Sequence, residues 1–397
     1  MPTESLAAIA AKKLEEIEAA GLRRRLKSVE SSQGPTVKLG GREVQNFSSN
    51  DYLGLAASPA LKAAMIAGVE RFGTGSGASR LVCGNFSIHS SLEKVLAHFK
   101  GTEAALSFSS GYATAMGVVP ALCGKDDIIL LDKLAHASLI DAAKLSGATL
   151  RVFPHNHLEK LQRLLAGTHQ ARKPGSQVLI LTESIFSMDG DAAPLQDIAD
   201  LAERYEAQLL VDEAHAVGVT GPQGRGLVAA LGLERRVPLQ MGTMSKALGL
   251  SGGYIAAQQS VVDLLLNRAR SLIYSTAPPP ALAYAAGHAL EIVSSEGGDA
   301  LRQMLANHKK TLSEALGAPE ILNLPGAIIP LMVGDERAAT EASAALLERG
   351  FLIPAIRFPT VARGKARLRL TLSAAHSAGQ IQALGEALAR TGLLPQR

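Results

Sequence analysis

From about residue 100 to residue 257, short apolar runs alternate with stretches of helical periodicity. No other feature of the chain limits its fold as much. The strand candidates are Ala104–Ser109, Asp127–Asp132, Thr149–Pro154, Gln177–Glu183, Ala207–Asp212, Pro238–Thr243 and Gly253–Ala257. Between them lie segments such as Gln196–Glu206, where Ile198, Leu201, Ala202 and Tyr205 share one helical face. Alternation of this kind requires crossover connections. The expected fold is therefore α/β, a mostly parallel seven-stranded sheet with helices on both faces. From Thr243 to Gly253 there is too little chain for a crossover helix, so that pair is expected to be antiparallel.

The flanks read differently. Leu6, Ile9, Ala10, Leu14 and Ile17 recur at helical spacing over residues 4 to 20, and Gly21 ends the pattern. We assign residues 1–46 to an N-terminal helical arm packed on something larger. Residues 47–285 form the large domain, and Pro278-Pro279-Pro280 marks its end. Residues 286–397 form a smaller C-terminal α+β domain. Its strand candidates are Ile328–Val333, Phe351–Ile356 and Arg367–Leu372, with a helix from Glu336 to Arg349 capped by Gly350. In the last strand, alternation sends Arg367, Arg369 and Thr371 to one face and the leucines to the other.

Composition excludes several classes. At 397 residues the chain exceeds one ordinary core, and 47% hydrophobic against 19% charged residues is globular rather than disordered. A net charge of +4 from 40 basic and 36 acidic residues is too even for a nucleic-acid binder. The densest basic run, Arg23-Arg24-Arg25-Leu26-Lys27, reads as a solvated helix end. Cys83 and Cys123 form no CxxC, so neither a zinc site nor a disulfide framework is expected. The opening residues Met1-Pro-Thr-Glu-Ser lack the features of a signal peptide, and no apolar run reaches about 18 residues. The expected location is the cytoplasm, with no membrane partner.

In open α/β sheets, ligands bind beyond the carboxyl ends of the strands. Asp212 ends an apolar strand and is followed by Glu-Ala-His215. A carboxylate there is often only a helix cap, but it also suits the ring nitrogen of a pyridinium cofactor, with the imidazole at the phenolic oxygen. After Leu239-Gln-Met-Gly comes Thr243-Met-Ser245-Lys246. A lone lysine is usually on the surface, whereas one that follows a buried strand and two hydroxyls is placed to form a Schiff base beside a phosphate. Ser110-Gly111-Tyr112 starts a helix, which is a natural anion site. His136 follows another strand end and could stack on a cofactor ring. Thr182-Glu183-Ser184 and Ser187 follow the next. Each signal alone is weak, and their joint order is much stronger.

Other constellations fail. Gly73-Thr-Gly75-Ser-Gly77 is not a dinucleotide fingerprint, His155-Asn-His157 lacks further metal ligands, and Asp189-Gly-Asp191 lacks the other positions of a calcium loop. No metal site is expected.

From Leu22 to His376 the chain resembles the α-oxoamine synthases, a family of fold-type I pyridoxal-phosphate (PLP) enzymes. The resemblance rests on Phe47-Ser-Ser-Asn-Asp-Tyr-Leu-Gly54, Gly75-Ser-Gly-Ala-Ser79, Phe186-Ser-Met-Asp-Gly-Asp191 and Ile273-Tyr-Ser-Thr276. It rests also on Ala355-Ile-Arg-Phe-Pro-Thr360 and Ala366-Arg-Leu-Arg-Leu-Thr371. The resemblance implies that Lys246 carries PLP and acts as acid and base at the substrate α-carbon. It implies that His136 stacks on the ring, and that Asp212 and His215 pair with its nitrogen and oxygen. Gly111, Tyr112, Ser187, Thr243 and Ser245 would hold the cofactor. Thr276 would reach the phosphate of a neighbouring subunit in a homodimer. Arg23, Asn50, His136, Thr360 and Arg369 match substrate-contacting positions, with Arg369 as carboxylate clamp. Within the family the chain is most similar to the branch that joins L-alanine to a pimeloyl thioester, on coenzyme A or acyl carrier protein, in biotin biosynthesis. Its Thr-Met-Ser-Lys stands where many members of that branch have Thr-Phe-Gly-Lys. Siblings acting on glycine or serine, and more distantly an aminotransferase, are the alternatives.

Overall fold

A computed structural model describes residues 4–390; the extreme ends of the expected arm and C-terminal domain lie outside the described residues. The arm begins with the helix Leu6–Ala19, whose N-terminus is capped by the Ser5 hydroxyl accepting from Ala8 N at 3.2 Å. None of its residues is buried. The rest of the arm is not helical. It holds a hairpin of β1 (Thr36–Leu39) and β2 (Arg42–Asn46), turned by Gly40 and Gly41 at φ 56° and 77°. Positive φ at both turn residues is the geometry a tight hairpin needs, and glycine adopts it without strain.

The large sheet contains β3 (Ala104–Phe108), β4 (Ile128–Asp132), β5 (Thr149–Phe153), β6 (Val178–Glu183), β7 (Gln208–Asp212), β8 (Leu239–Thr243) and β9 (Gly253–Ala257). Its seven strands run in the order β3-β9-β8-β7-β6-β4-β5. Only β9 is antiparallel to its neighbours, as the short Thr243–Gly253 connection requires. Alternate residues feed opposite faces. Ile129, Leu131, Leu179, Leu181 and Leu210 pack in one core, and Leu130, Val178, Ile180, Leu209 and Val211 pack in the other. Apolar residues on both sides of a strand are the mark of a sheet covered by helices on both faces.

The C-terminal part holds β10 (Ile328–Gly334), β11 (Phe351–Leu352), β12 (Ala355–Ile356) and β13 (Ala366–Thr371). The single strand expected over Phe351–Ile356 is broken. β11 joins the arm hairpin, parallel to β2, while β12 pairs with β13 in the sheet β10-β13-β12. Pro354 lies between them; it has no N–H for a ladder, and only its carbonyl pairs, accepting from Arg369 N at 3.0 Å.

β13 alternates as expected. Leu368 and Leu370 enter the hydrophobic core. On the other face Arg367 donates to Met188 O at 3.1 Å and to Asp189 Oδ1 at 2.6 Å. Arg369 donates to Ser187 O at 2.6 Å. These arginines fasten the C-terminal sheet to the loop that follows β6.

Candidate active site

The carboxyl ends of β4, β6, β7 and β8 and the start of the helix Gly111–Leu122 surround a cavity of about 240 Å³. Gly111, Tyr112, His136, Asp212, His215, Thr243, Ser245 and Lys246 line it, all anticipated from the sequence, together with Glu183.

Lys246 follows β8 on a segment stabilised by Met244 N bonding Gly252 O at 3.0 Å. Its Nζ lies 2.8 Å from His215 Nε2. Withdrawal from water pushes the lysine down to about 8, against the pull of Asp212 and Glu183. Burial holds the His215 pKa well below its ordinary value, and the charges of Lys246 and Arg369 add to this, so the imidazole is neutral. His215 Nδ1 is 2.5 Å from the hydroxyl of Tyr52, a fully buried side chain.

Two carboxyls face each other where β6 and β7 end, because Glu183 and Asp212 are register partners. Asp212 Oδ1 accepts from Ala214 N at 2.9 Å. Burial raises both pKa values, and Glu183 is pushed furthest because the Asp212 charge acts on it as well. Two adjacent buried carboxylates do not both ionise. Each is also drawn down by Lys246 and by one backbone N–H, that of Ala214 for Asp212 and that of His136 for Glu183. Glu183 Oε1 has no hydrogen-bond partner.

The opposite end of the cavity suits an anion. Ser110 caps the helix, its hydroxyl accepting from Ala113 N at 3.0 Å. The first helical N–H groups, on Gly111 and Tyr112, have no carbonyl to bond within the helix. Thr243 donates to Gly252 O and sits 2.7 Å from the Ser245 hydroxyl. A Cβ on Gly111 would stand 3.6 Å from Thr243 Cβ, so a larger side chain there would fill the space between helix start and strand end. Tyr112 is exposed and donates to Asp141 Oδ2 at 2.7 Å. His136 caps the helix Ala137–Ser146 with Nδ1, 2.8 Å from Ser138 Oγ, and lines the cavity. Its pKa is lowered, first by the surrounding protein.

Arg369 and Asn50 meet beside this cavity, with Arg369 Nη2 donating to Asn50 Oδ1 at 3.1 Å. Ser187 is tied to this pair, its carbonyl accepting from Arg369 Nε at 2.6 Å. Six expected residues do not line the cavity within this chain: Asn50, Ser187 and Arg369, described above, and Arg23, Thr276 and Thr360. Arg23 pairs loosely with Glu18 at 3.8 Å. Thr276 bridges Ser79, and Thr360 closes a turn on Arg357 O at 3.0 Å. One functional side chain was not singled out from sequence, Tyr52, while Glu183 was named only among several polar groups at a strand end. Tyr52 lies within the Phe47–Gly54 stretch, so only its partner, and not its presence, was hidden.

The chain matches the family described as aminotransferase class I and II over residues 42–388. It is similar to 8-amino-7-oxononanoate synthase of Geobacter sulfurreducens, 46% identical over 381 residues that cover 96% of each chain. It is also similar to 8-amino-7-oxononanoate synthase of Methylorubrum populi, 48% identical over 98% of this chain and 95% of that one. Among solved structures, a serine palmitoyltransferase from S. paucimobilis that holds PLP and myriocin superposes with a TM-score of 0.90, at 27% identity over 98% of both chains. The 8-amino-7-oxononanoate synthase of Francisella tularensis superposes with a TM-score of 0.74, at 28% identity over 87% of this chain and 97% of that one.

Proposed function

The chain belongs to the class I and II aminotransferase family, and from that premise we propose that it is a PLP-dependent acyltransferase of the 8-amino-7-oxononanoate synthase type. It joins L-alanine to a pimeloyl thioester, releasing CO₂ and the free thiol carrier and leaving 8-amino-7-oxononanoate for biotin biosynthesis. The observation that carries this reading is a lysine amine with a pKa of about 8, bonded to a neutral imidazole, in the same cavity as a buried carboxylate.

The donor set fits PLP. Cationic and anionic needs are met at opposite ends of one cavity, and glycine at position 111 keeps open the space that a phosphate would occupy. When bound, PLP supplies a protonated pyridine that takes up the electron pair left at the amino-acid α-carbon. Asp212 would pair with the ring nitrogen, and His136 would lie against the ring. The Gly111 and Tyr112 backbone with the Thr243 and Ser245 hydroxyls would grip the phosphate, and Ser187 would help to hold the cofactor. Lys246 would carry the cofactor and would move the proton at the substrate α-carbon, a task suited to an amine whose pKa is lowered to about 8. Arg369 and Asn50 hold the alanine carboxylate. Arg23 and Thr360 contact the acyl substrate.

The protein works as a cytoplasmic homodimer in which Thr276 reaches the neighbour's phosphate site. Its exposure, together with the exposed apolar Leu81, Val82 and Tyr274, supports a partner surface here. The acyl carrier is coenzyme A or acyl carrier protein. No helix among the described residues is long and apolar enough to cross a membrane.

The test is free-thiol release from pimeloyl-CoA with PLP present, comparing L-alanine, glycine and L-serine. Release that depends on L-alanine is expected. Release with glycine or serine instead would move the assignment to a sibling synthase. No release from a protein that binds PLP would point to the acyl-carrier-protein thioester.

A further inference from the structure

His155 lies just beyond β5 with a carboxylate on each side of its ring. Nδ1 donates to Asp132 Oδ1 at 3.1 Å, and Nε2 donates to Asp191 Oδ2 at 2.9 Å. Asp132 is fully buried and also accepts from Leu134 N at 2.8 Å and Asn156 N at 2.9 Å, bonds that favour its charged form. The Asn156 side chain joins the cluster, its Nδ2 donating to Ala192 O at 3.0 Å and to Asp191 Oδ2 at 3.2 Å. A ring that donates from both nitrogens is an imidazolium. Burial lowers the His155 pKa, but the hydrogen bonds and charges of Asp132 and Asp191 outweigh it and raise the value to about 10. These two carboxylates are the charged groups that act on the ring. Phe186 packs edge-on against it, with centroids 4.3 Å apart.

The two carboxylates belong to segments that lead into the site. Asp132 ends β4 and shapes the turn to His136, its carbonyl accepting from Ala135 N at 3.1 Å. Asp191 closes the loop after β6, its carbonyl accepting from Phe186 N at 3.0 Å, while Gly190 N bonds Phe186 O at 2.9 Å. That loop carries Ser187, whose carbonyl accepts from Arg369 Nε at 2.6 Å. We propose that His155 is a positioning residue, a doubly bonded clamp that holds the loop 186–191 against the end of β4 so that Ser187 aims Arg369 at the amino-acid carboxylate. Arg367 grips the same loop separately, through Met188 O and Asp189 Oδ1, so losing the clamp loosens the loop without releasing it. This deepens the function proposed above and rests on it only for the identity of the substrate.

Amide hydrogen exchange of the cofactor-free protein tests the clamp itself. In His155→Gln, residues 184–193 should exchange about tenfold faster or more, with β7 and β8 unchanged. Steady-state kinetics of the PLP-loaded variant should show KM for L-alanine raised about 10-fold and kcat changed by less than about threefold. Asp191→Asn, at the more exposed end of the clamp, should do the same, and the double variant should be no worse than either single one. Nitrogen NMR of the cofactor-free wild type should show both His155 nitrogens protonated at about pH 8, where an ordinary imidazole is neutral. A neutral His155 at that pH, loop exchange at the wild-type rate, or a fall in kcat with KM unchanged overturns the proposal. If His155→Gln does not fold, Asp191→Asn and the wild-type spectrum decide it. A wild type without amino-acid-dependent thiol release would sink the proposed function, while exchange and NMR of the cofactor-free protein would still decide the role of His155.

Discussion

Lys246 sits among groups that pull its charge in opposite directions. Burial and Arg369 favour the neutral amine, while Asp212 and Glu183 favour the ammonium, and the balance lies near 8 rather than at the ordinary 10.5. The neutral amine attacks an aldehyde, and it predominates above the pKa. PLP uptake by cofactor-free protein should therefore accelerate as pH rises through about 8 and level off about one unit above that, as followed by stopped-flow absorbance. Lys246→Ala should lower alanine-dependent thiol release by about a thousandfold or more, with unfolding little changed. Arg369 is a fork rather than a point charge. Its Nε and both terminal nitrogens already bond Ser187, Thr371 and Asn50, which aims the remaining N–H groups. Arg369→Lys keeps the charge and loses the fork. KM for L-alanine should rise about 10- to 100-fold, with a smaller change in kcat, in steady-state kinetics.

At the scale of elements, the segment from Phe47 to Gly54 ties the C-terminal sheet to the cavity. Thr371 N bonds Phe47 O at 2.9 Å, and Ala374 N bonds Tyr52 O at 2.8 Å. Gly54 closes the segment at φ +71°, where a Cβ would stand 2.6 Å from Ala375 Cβ. Gly54→Ala combines a strained backbone with a clash in a packed region, and should cost about 1–3 kcal/mol in urea unfolding. Because the segment carries Asn50 and Tyr52, KM for the amino acid should rise in the same variant.

Across the whole molecule, acid stability depends on a histidine remote from the chemistry. His376 accepts from Ser373 N at 3.0 Å on Nδ1 and donates from Nε2 to Asn46 O at 3.0 Å, and its ring stacks on Phe47 with centroids 4.2 Å apart. Both nitrogens are satisfied only in the neutral form, and burial pushes the pKa down to about 4. Between pH 4 and the unfolded value near 6.5, the unfolded chain binds a proton that the folded chain does not. Stability from this group is complete above pH 6.5 and is lost as pH falls toward 4, by about 3 kcal/mol in all. Denaturant unfolding of wild type and His376→Asn between pH 7 and 4.5 should show the wild type losing more over that range.

Local pattern determined much of this protein. A buried strand must be apolar on both faces and must end in polar residues, so β3 to β9 and the placement of His136, Asp212, Thr243 and Lys246 at strand ends were legible from residue order. The Thr243–Gly253 connection had to be antiparallel because its length forbids a crossover. Tertiary structure alone decided the rest. The hairpin at Gly40-Gly41 and the break at Pro354 depend on β11 finding β2, some three hundred residues away in sequence. The action of the Asp212 charge on Glu183 depends on their register across two strands. The contact of Tyr52 with His215 joins side chains 163 positions apart. Hydrophobic periodicity reports which side of an element is buried, but it does not say which buried group lies opposite. That is set by packing between distant segments, and here such packing determines which buried side chains of the site face one another.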